Sequence, residues 1–220
     1  MVMQDTARTA LAGFAVFGLV AFGLRAALHY RRTGTTGFVG ISGRIGSAEW
    51  LGGGLFVVAL ALAVAAPVLQ LAGWVAPLSA FGAGWVPRAG LGLYVVGLLA
   101  TLWAQLAMGN SWRVGVDAKA RTALVATGPF RWVRNPIYTA MTVATLGLAL
   151  LAPNVVALLA LVTLVVALEI QVRLVEEPYL TRTHGEHYRQ YAARTGRFLP
   201  TIGRGASQRA AEGERHARIT

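Results

Sequence analysis

The chain has 220 residues, 55% of them hydrophobic before its 26 glycines are counted, and only 13% charged. Soluble domains carry about 25% charged residues. The composition therefore excludes a disordered chain and, despite a net charge of +11, a nucleic-acid-binding domain. There is no cysteine, hence no disulfide, thiolate metal site or Cys nucleophile. An integral membrane protein remains, of a size for one domain with a few spanning helices.

A spanning helix needs about 20 mostly apolar residues to cross ~30 Å of hydrocarbon. Residues 10–28 are apolar except for Arg25, placed near enough to the end to reach the headgroups. This run is too long for a cleaved signal peptide, and no A-x-A-like site follows it. Residues 51–71 carry no charge, and 89–108 carry only Gln105. Residues 136–152 and 154–172 are separated by a helix stop and a cap, Pro153-Asn154, and read as a tight antiparallel hairpin. Gly52-Gly53-Gly54, Gly90, Gly92 and Gly97 suit close helix packing, since no strand precedes them as a phosphate loop requires. No internal repeat suggests a transporter built of two halves.

Charge placement gives the orientation. If loops rich in Lys and Arg face the cytoplasm, 17 of the 20 basic residues fall on that side, and only Arg8 and Arg88 lie opposite. The expectation is an all-α integral membrane protein of the cell inner (plasma) membrane. It has five transmembrane helices, the N-terminus outside and the C-terminus cytoplasmic. Trp50, Trp74 and Trp85 lie near span ends, as interfacial aromatics do. Residues 1–200 form one membrane domain, ending in a cytoplasmic amphipathic helix. Residues 201–220 read as a disordered basic tail. The basic face also attracts anionic membrane lipids.

Polar residues crowd into two cytoplasmic stretches that flank the 136–172 hairpin. The first runs from Thr122 to Tyr138, with a turn at Gly128-Pro129 and Asn135 as cap of a helix beginning at Pro136. The second runs from Arg173 through Glu176-Glu177, then His184-Gly-Glu-His-Tyr188 and Tyr191, to Arg197-Phe-Leu-Pro200. Singly these are weak signals. Asn135-Pro136 suits a plain helix start, Glu176 and Glu177 suit solvated acids, and Tyr188 with Tyr191 suits a helix lying on the headgroups. Their order around a two-residue hairpin is more specific.

Arg134-Asn-Pro-x-Tyr138, a helical hairpin, Glu176-Glu177-x-x-Leu180, Gly185-x-x-Tyr188-x-x-Tyr191 and Arg197-Phe-Leu-Pro200 resemble the isoprenylcysteine carboxyl methyltransferase and phospholipid methyltransferase superfamily. The similarity covers roughly 110–200; the first three spans match only in being spans. It implies S-adenosylmethionine as cofactor, bound on the cytoplasmic side under the hairpin. Carried over, Thr122, Ala123, Leu124 and Val125 resemble the stretch lining the cofactor, and Phe130 stands where a Tyr is usual. Asn135, Pro136, Ile137 and Tyr138 match the family's His-Pro-x-Tyr cofactor motif. Glu176 matches the cofactor-contacting member of the acid pair, with Glu177 beside it as a catalytic candidate. Arg173 lies near the family's substrate-positioning Arg. Asn135 replaces a His, so it hydrogen-bonds but cannot change charge.

The chemistry agrees with these residue types. A carboxylate accepts from an ammonium or ribose hydroxyls, and helix-start amides suit the cofactor's carboxylate. Tyr138 and Phe130 offer ring faces to adenine or the sulfonium. An acceptor that is already an anion needs orientation rather than a base, and Arg173 supplies a fork for it. Glu169, four residues before Arg173, is either the ion-pair partner that orients it or a substrate contact. His184 and His187 with Glu186 fall short of a metal ligand set, so no metal is expected. The partner is a lipid or lipophilic small-molecule substrate. Two other readings fit parts of the sequence: a sterol-type NADPH reductase, and a non-catalytic membrane assembly or transport protein.

Overall fold

A computed structural model describes residues 2–114 and 123–205. Thr122 and residues 206–220 lie outside the described residues. The first helical rod is α1 (Val2–Phe17), a π-helical segment (Gly18–Leu24) and α2 (Arg25–Thr33), continuous over Met3–Thr33. Then come α3 (Ala48–Leu71), α4 (Val86–Met108) and α5 (Pro136–Leu151). The last rod runs from α6 (Val155–Ile170) through a π-helical segment (Gln171–Glu176) into α7 (Glu177–His184). A short α8 (Glu186–Arg194) follows. Among the described residues there is no strand, only isolated parallel bridges of Phe38 with Val114 and of Val133 with Gly196.

Among the described residues four rods are long and apolar enough to cross a membrane: Met3–Thr33, Ala48–Leu71, Val86–Ser111 and Val155–His184. The shorter Pro136–Leu151 covers only about 24 Å at the α-helical rise. Two rods outrun their expected spans. The first continues past residue 28 as α-helix to Thr33, and the last continues past 172 through its π-helical segment to His184.

The rods alternate in direction, which gives the bundle two ends. At one end, Ala7 and Ala10 meet Leu151 and Ala152, and the Leu78 amide donates to Pro153 O at 2.7 Å. Asn154 is fully buried there. It caps α6 by accepting from Ala157 N and donates to Ala66 O and Gln70 Oε1, each at 3.0 Å. The expected stop and cap thus also tie the α5–α6 hairpin to α3.

The main helix contacts pair α4 with α5 and α3 with α6. Along α4–α5 the backbones touch. A Cβ at Gly90 would stand 2.8 Å from Gly147 O, and one at Gly97 would stand 2.8 Å from Ala140 O. Only hydrogen fits there, which is the close packing expected of small residues in a membrane.

Arg25 differs from expectation. It does not reach the headgroups: it is buried, donating to Gly109 O at 2.6 Å with its guanidinium 4.7 Å from the Trp112 ring. Gln105 O and Gly109 O lie at the C-terminal end of α4, the negative end of its dipole, and a cation on the neighbouring rod donates to both.

Candidate active site

The second end gathers the polar residues. Pro136 starts α5 because its missing amide costs nothing in a first turn. The Asn135 side chain does not cap that helix as expected: its Nδ2 donates to Arg197 O at 3.1 Å, and its backbone amide reaches the same oxygen. The competing acceptor comes from residues 195–205, which fold back beside the start of α5. Arg134 N donates to Gly196 O at 2.8 Å and Thr139 Oγ1 to Phe198 O at 2.7 Å. Residues 201–205, assigned above to the tail, belong to this strap. A turn places Ile202 O against Arg197 N, and Gly205 N reaches Ala192 O, both at 2.8 Å.

The two motif acids have different surroundings. Glu177 sits between two guanidinium groups. Arg134 Nη2 donates to its Oε1 at 2.6 Å, while Arg197 donates from Nε and Nη2 to the two oxygens, each at 2.8 Å. Arg134 also donates to Ala192 O, Thr195 O and Gly203 O. One buried arginine thus joins α7, α8 and the strap, with its Nε left without a partner. The Glu177 carboxylate holds Arg197, outside the spans, above its usual arginine range.

Glu176 faces the bundle and accepts from the Tyr138 hydroxyl, with the Gln171 side chain as a second donor. The Tyr138 ring packs on Ala59, Leu164 and Leu168. Ala59 and Leu164 also line an apolar crevice between α1, α3, α5 and α6, with Phe14, Phe17, Leu60 and Met141. The Tyr138–Glu176 pair therefore stands where an intramembrane apolar surface meets the polar end.

Of the other expected site residues, Pro136 and Phe130 are buried, and Ile137 is half-buried in the first turn of α5. Leu124 packs with Leu180 against Tyr188, Tyr191 and Ala192; Val125 is half-buried and Ala123 exposed. The Tyr191 hydroxyl donates to Phe130 O at 2.6 Å, and burial pushes its pKa up to about 12. Tyr188 is pushed higher still by burial and by Glu177. These two rings pack inside the protein rather than lying on headgroups. Arg173 is exposed on the π-helical segment and pairs with Glu169 one turn earlier, the first of the two alternatives raised for Glu169. It is not brought to the Tyr138–Glu176 pair.

Sequence reasoning missed the roles of Arg134, Gln171 and Arg197. Arg134 and Arg197 stand inside the quoted motifs, so the signal was available: two arginines beside an acid pair in a sequence poor in acids. Among the described residues no cluster of His, Asp and Glu is arranged to hold a metal ion.

Residues 86–187 match the model of the phospholipid methyltransferase family. The fold is similar to that of the eukaryotic intramembrane Ras methyltransferase, isoprenylcysteine carboxyl methyltransferase. That likeness has a TM-score of 0.65 and 16% identity, covering 94% of this chain and 70% of the other. No curated protein matches the chain. The resemblance read in the C-terminal half is borne out, and the likeness in fold takes in the N-terminal rods as well.

Proposed function

We propose that the chain is an integral membrane methyltransferase that uses S-adenosylmethionine and methylates a lipophilic or small acceptor at the cytoplasmic face. The observation that carries this reading is the meeting of Tyr138 with Glu176: two motifs 38 residues apart join at the end of the apolar crevice. The residues fit the cofactor's chemistry. Glu176 is an acid whose bonded neighbours are neutral donors, so a cationic ammonium or ribose hydroxyls suit its remaining acceptor capacity. The first-turn amides of α5 have no intrahelical acceptor and suit a carboxylate. Tyr138 and Phe130 supply ring faces, and the stretch from Ala123 to Val125 carries the expected lining residues. When bound, S-adenosylmethionine supplies a methyl group on a cationic sulfur.

The chain's residues bind and orient. Glu176 and the start of α5 hold the cofactor, with Asn135 fixing the entry to that helix through the strap. Glu177, gripped by Arg134 and Arg197, fixes the strap in turn, and stands as the second acid of the catalytic pair. Arg173, freed from Glu169 by an acceptor anion, orients that anion by its planar fork. The crevice on the membrane side of Tyr138 suits hydrocarbon, favouring a lipophilic acceptor over a water-soluble one. In this reading all five rods cross the membrane, with α5 short, and the polar end faces the cytoplasm.

The test is calorimetry of the purified protein with S-adenosylmethionine, its demethylated product and a nicotinamide dinucleotide, followed by incubation of membranes with labelled methyl donor. Binding of the first two and a labelled lipid-phase product is the expected result. Heat with the dinucleotide alone would move the protein to the sterol-type reductases. Silence with all three would favour a non-catalytic membrane protein.

A further inference from the structure

The loop between the first two rods, residues 34–47, is built unlike a solvated connection. It presents Phe38, Val39 and Ile41 half exposed or nearly so, and Ile45 is 87% exposed. Yet it is firmly placed. Val39 N donates to Val114 O at 2.9 Å and Val114 N to Gly37 O at 2.8 Å. The Phe38 ring lies 6.3 Å from both Phe22 and Trp112, and Ile41 packs on Gly53 of α3. Glycine recurs at every third position from Gly34 to Gly46, each time with φ between 75° and 86°. At Gly37 the need is twofold: a Cβ would be strained by φ and would stand 2.8 Å from the Trp112 ring. With Phe38 and Ile41 anchored on the bundle in this way, the bends leave Val39 and above all Ile45 facing outward.

Position and charge name the occupant. The loop joins two apolar rods at their polar end, which puts it at the depth of the headgroups. Tyr30 and Trp50, both exposed, flank it as aromatics do at that depth. Arg31 and Arg32 close α2 and Arg44 lies within the loop, and among the described residues none of the three pairs with an acid. Apolar side chains beside unpaired arginines complement a bilayer surface bearing negative headgroups.

We infer that residues 34–47 form a preshaped membrane-penetrating loop, which sinks Ile45 and Val39 to the acyl boundary and holds anionic phospholipid with Arg31, Arg32 and Arg44. Because the loop is bonded to Val114 at the end of the bundle that holds the candidate site, anionic lipid gathered there raises methyl transfer. That last consequence rests on the function proposed above; the insertion itself does not.

The chain lacks cysteine, so Ile45→Cys in the full-length protein takes a single polarity-sensitive fluorophore, with Gln190→Cys on exposed α8 as the aqueous control. Each is placed in phosphatidylcholine nanodiscs with and without phosphatidylglycerol, using lipids brominated on their acyl chains. The label at 45 is expected to be blue-shifted and several-fold more quenched than that at 190, more so with phosphatidylglycerol. Replacing Arg31, Arg32 and Arg44 together by Gln should abolish the lipid difference in quenching and in methyl-transfer rate. Equal, weak quenching at 45 and 190 overturns the insertion and leaves the patch facing water or a soluble protein. Strong quenching that ignores phosphatidylglycerol overturns the anionic preference. Quenching as expected without any methyl transfer sinks the proposed function and leaves the loop standing.

Discussion

Arg197 closes on Glu177 through two parallel hydrogen bonds of 2.8 Å across 20 residues of sequence. Arg134 reaches the same carboxylate from the other side of the site, and its own side chain is only 3% exposed. The triad ties the strap to the start of α5, and hence governs where Asn135 and Tyr138 stand.

Glu177→Gln should accordingly be felt first in stability. It leaves two guanidinium groups without their anion, one of them buried. Breaking a buried pair costs roughly 3–5 kcal/mol, and the lower end is expected because the Glu177 side chain is 18% exposed. Thermal unfolding in detergent is the measurement. An unfolding temperature equal to that of the unaltered protein would show that the strap does not depend on the triad.

Glu176→Gln should instead be felt in cofactor affinity. Hydrogen bonds to charged groups contribute about 1.5–3 kcal/mol, which is roughly 10- to 100-fold in dissociation constant at about 1.4 kcal/mol per tenfold. Tyr138→Phe, which removes the donor to Glu176 but keeps the ring, should weaken binding less. If calorimetry finds Glu176→Gln unaltered in affinity, Glu176 is no cofactor ligand.

Arg173 is read as orienting the acceptor, although it pairs with Glu169 on an exposed surface. Surface pairs one helical turn apart contribute about 0.3–0.5 kcal/mol, so Glu169→Gln should leave stability nearly unchanged. Arg173→Lys keeps the charge and loses the fork. It should leave cofactor affinity intact while lowering turnover at saturating cofactor. Wild-type turnover would remove Arg173 from the catalytic machinery and leave only the surface pair.

Tyr191 gives the pH dependence. Its pKa is raised from 10 to about 12 by burial, so the folded state holds the phenol proton more tightly than the unfolded chain does. That contribution to stability is fully present below pH 10 and is lost as pH rises towards 12. Tyr191→Phe leaves the buried Phe130 carbonyl without its donor, at about 1–3 kcal/mol. Tyrosinate absorbance during alkaline titration checks the first; thermal unfolding of the variant checks the second.

The topology is tested with reporter fusions. Residue 80 lies in the connection between α3 and α4, at the end of the bundle that also holds Pro153. Residue 115 is the next residue in sequence after Val114, and Val114 lies at the end that holds the candidate site. Reporters at 80 and 115 should report opposite sides, with 115 cytoplasmic. The same side for both would refute five crossings.

Periodicity and composition determined the helices by themselves, because a run of apolar residues in lipid has no alternative to satisfying its backbone internally. The Pro153-Asn154 break, the glycines of α4 and the two motif stretches were likewise legible, since each depends on neighbours in sequence. What only tertiary structure decided are the partners of charged groups. Arg25 had no acid near it in sequence and was read as snorkelling; the end of α4, 80 residues on, supplies the carbonyls that bury it. Glu176 and Glu177 are adjacent and chemically identical in the sequence. Helical geometry turns them about 100° apart, so one faces Tyr138 at the crevice and the other the two arginines. A hydrogen bond is made at about 3 Å by whichever groups the packing of rods brings together, and that packing is written in small residues spread over the whole chain.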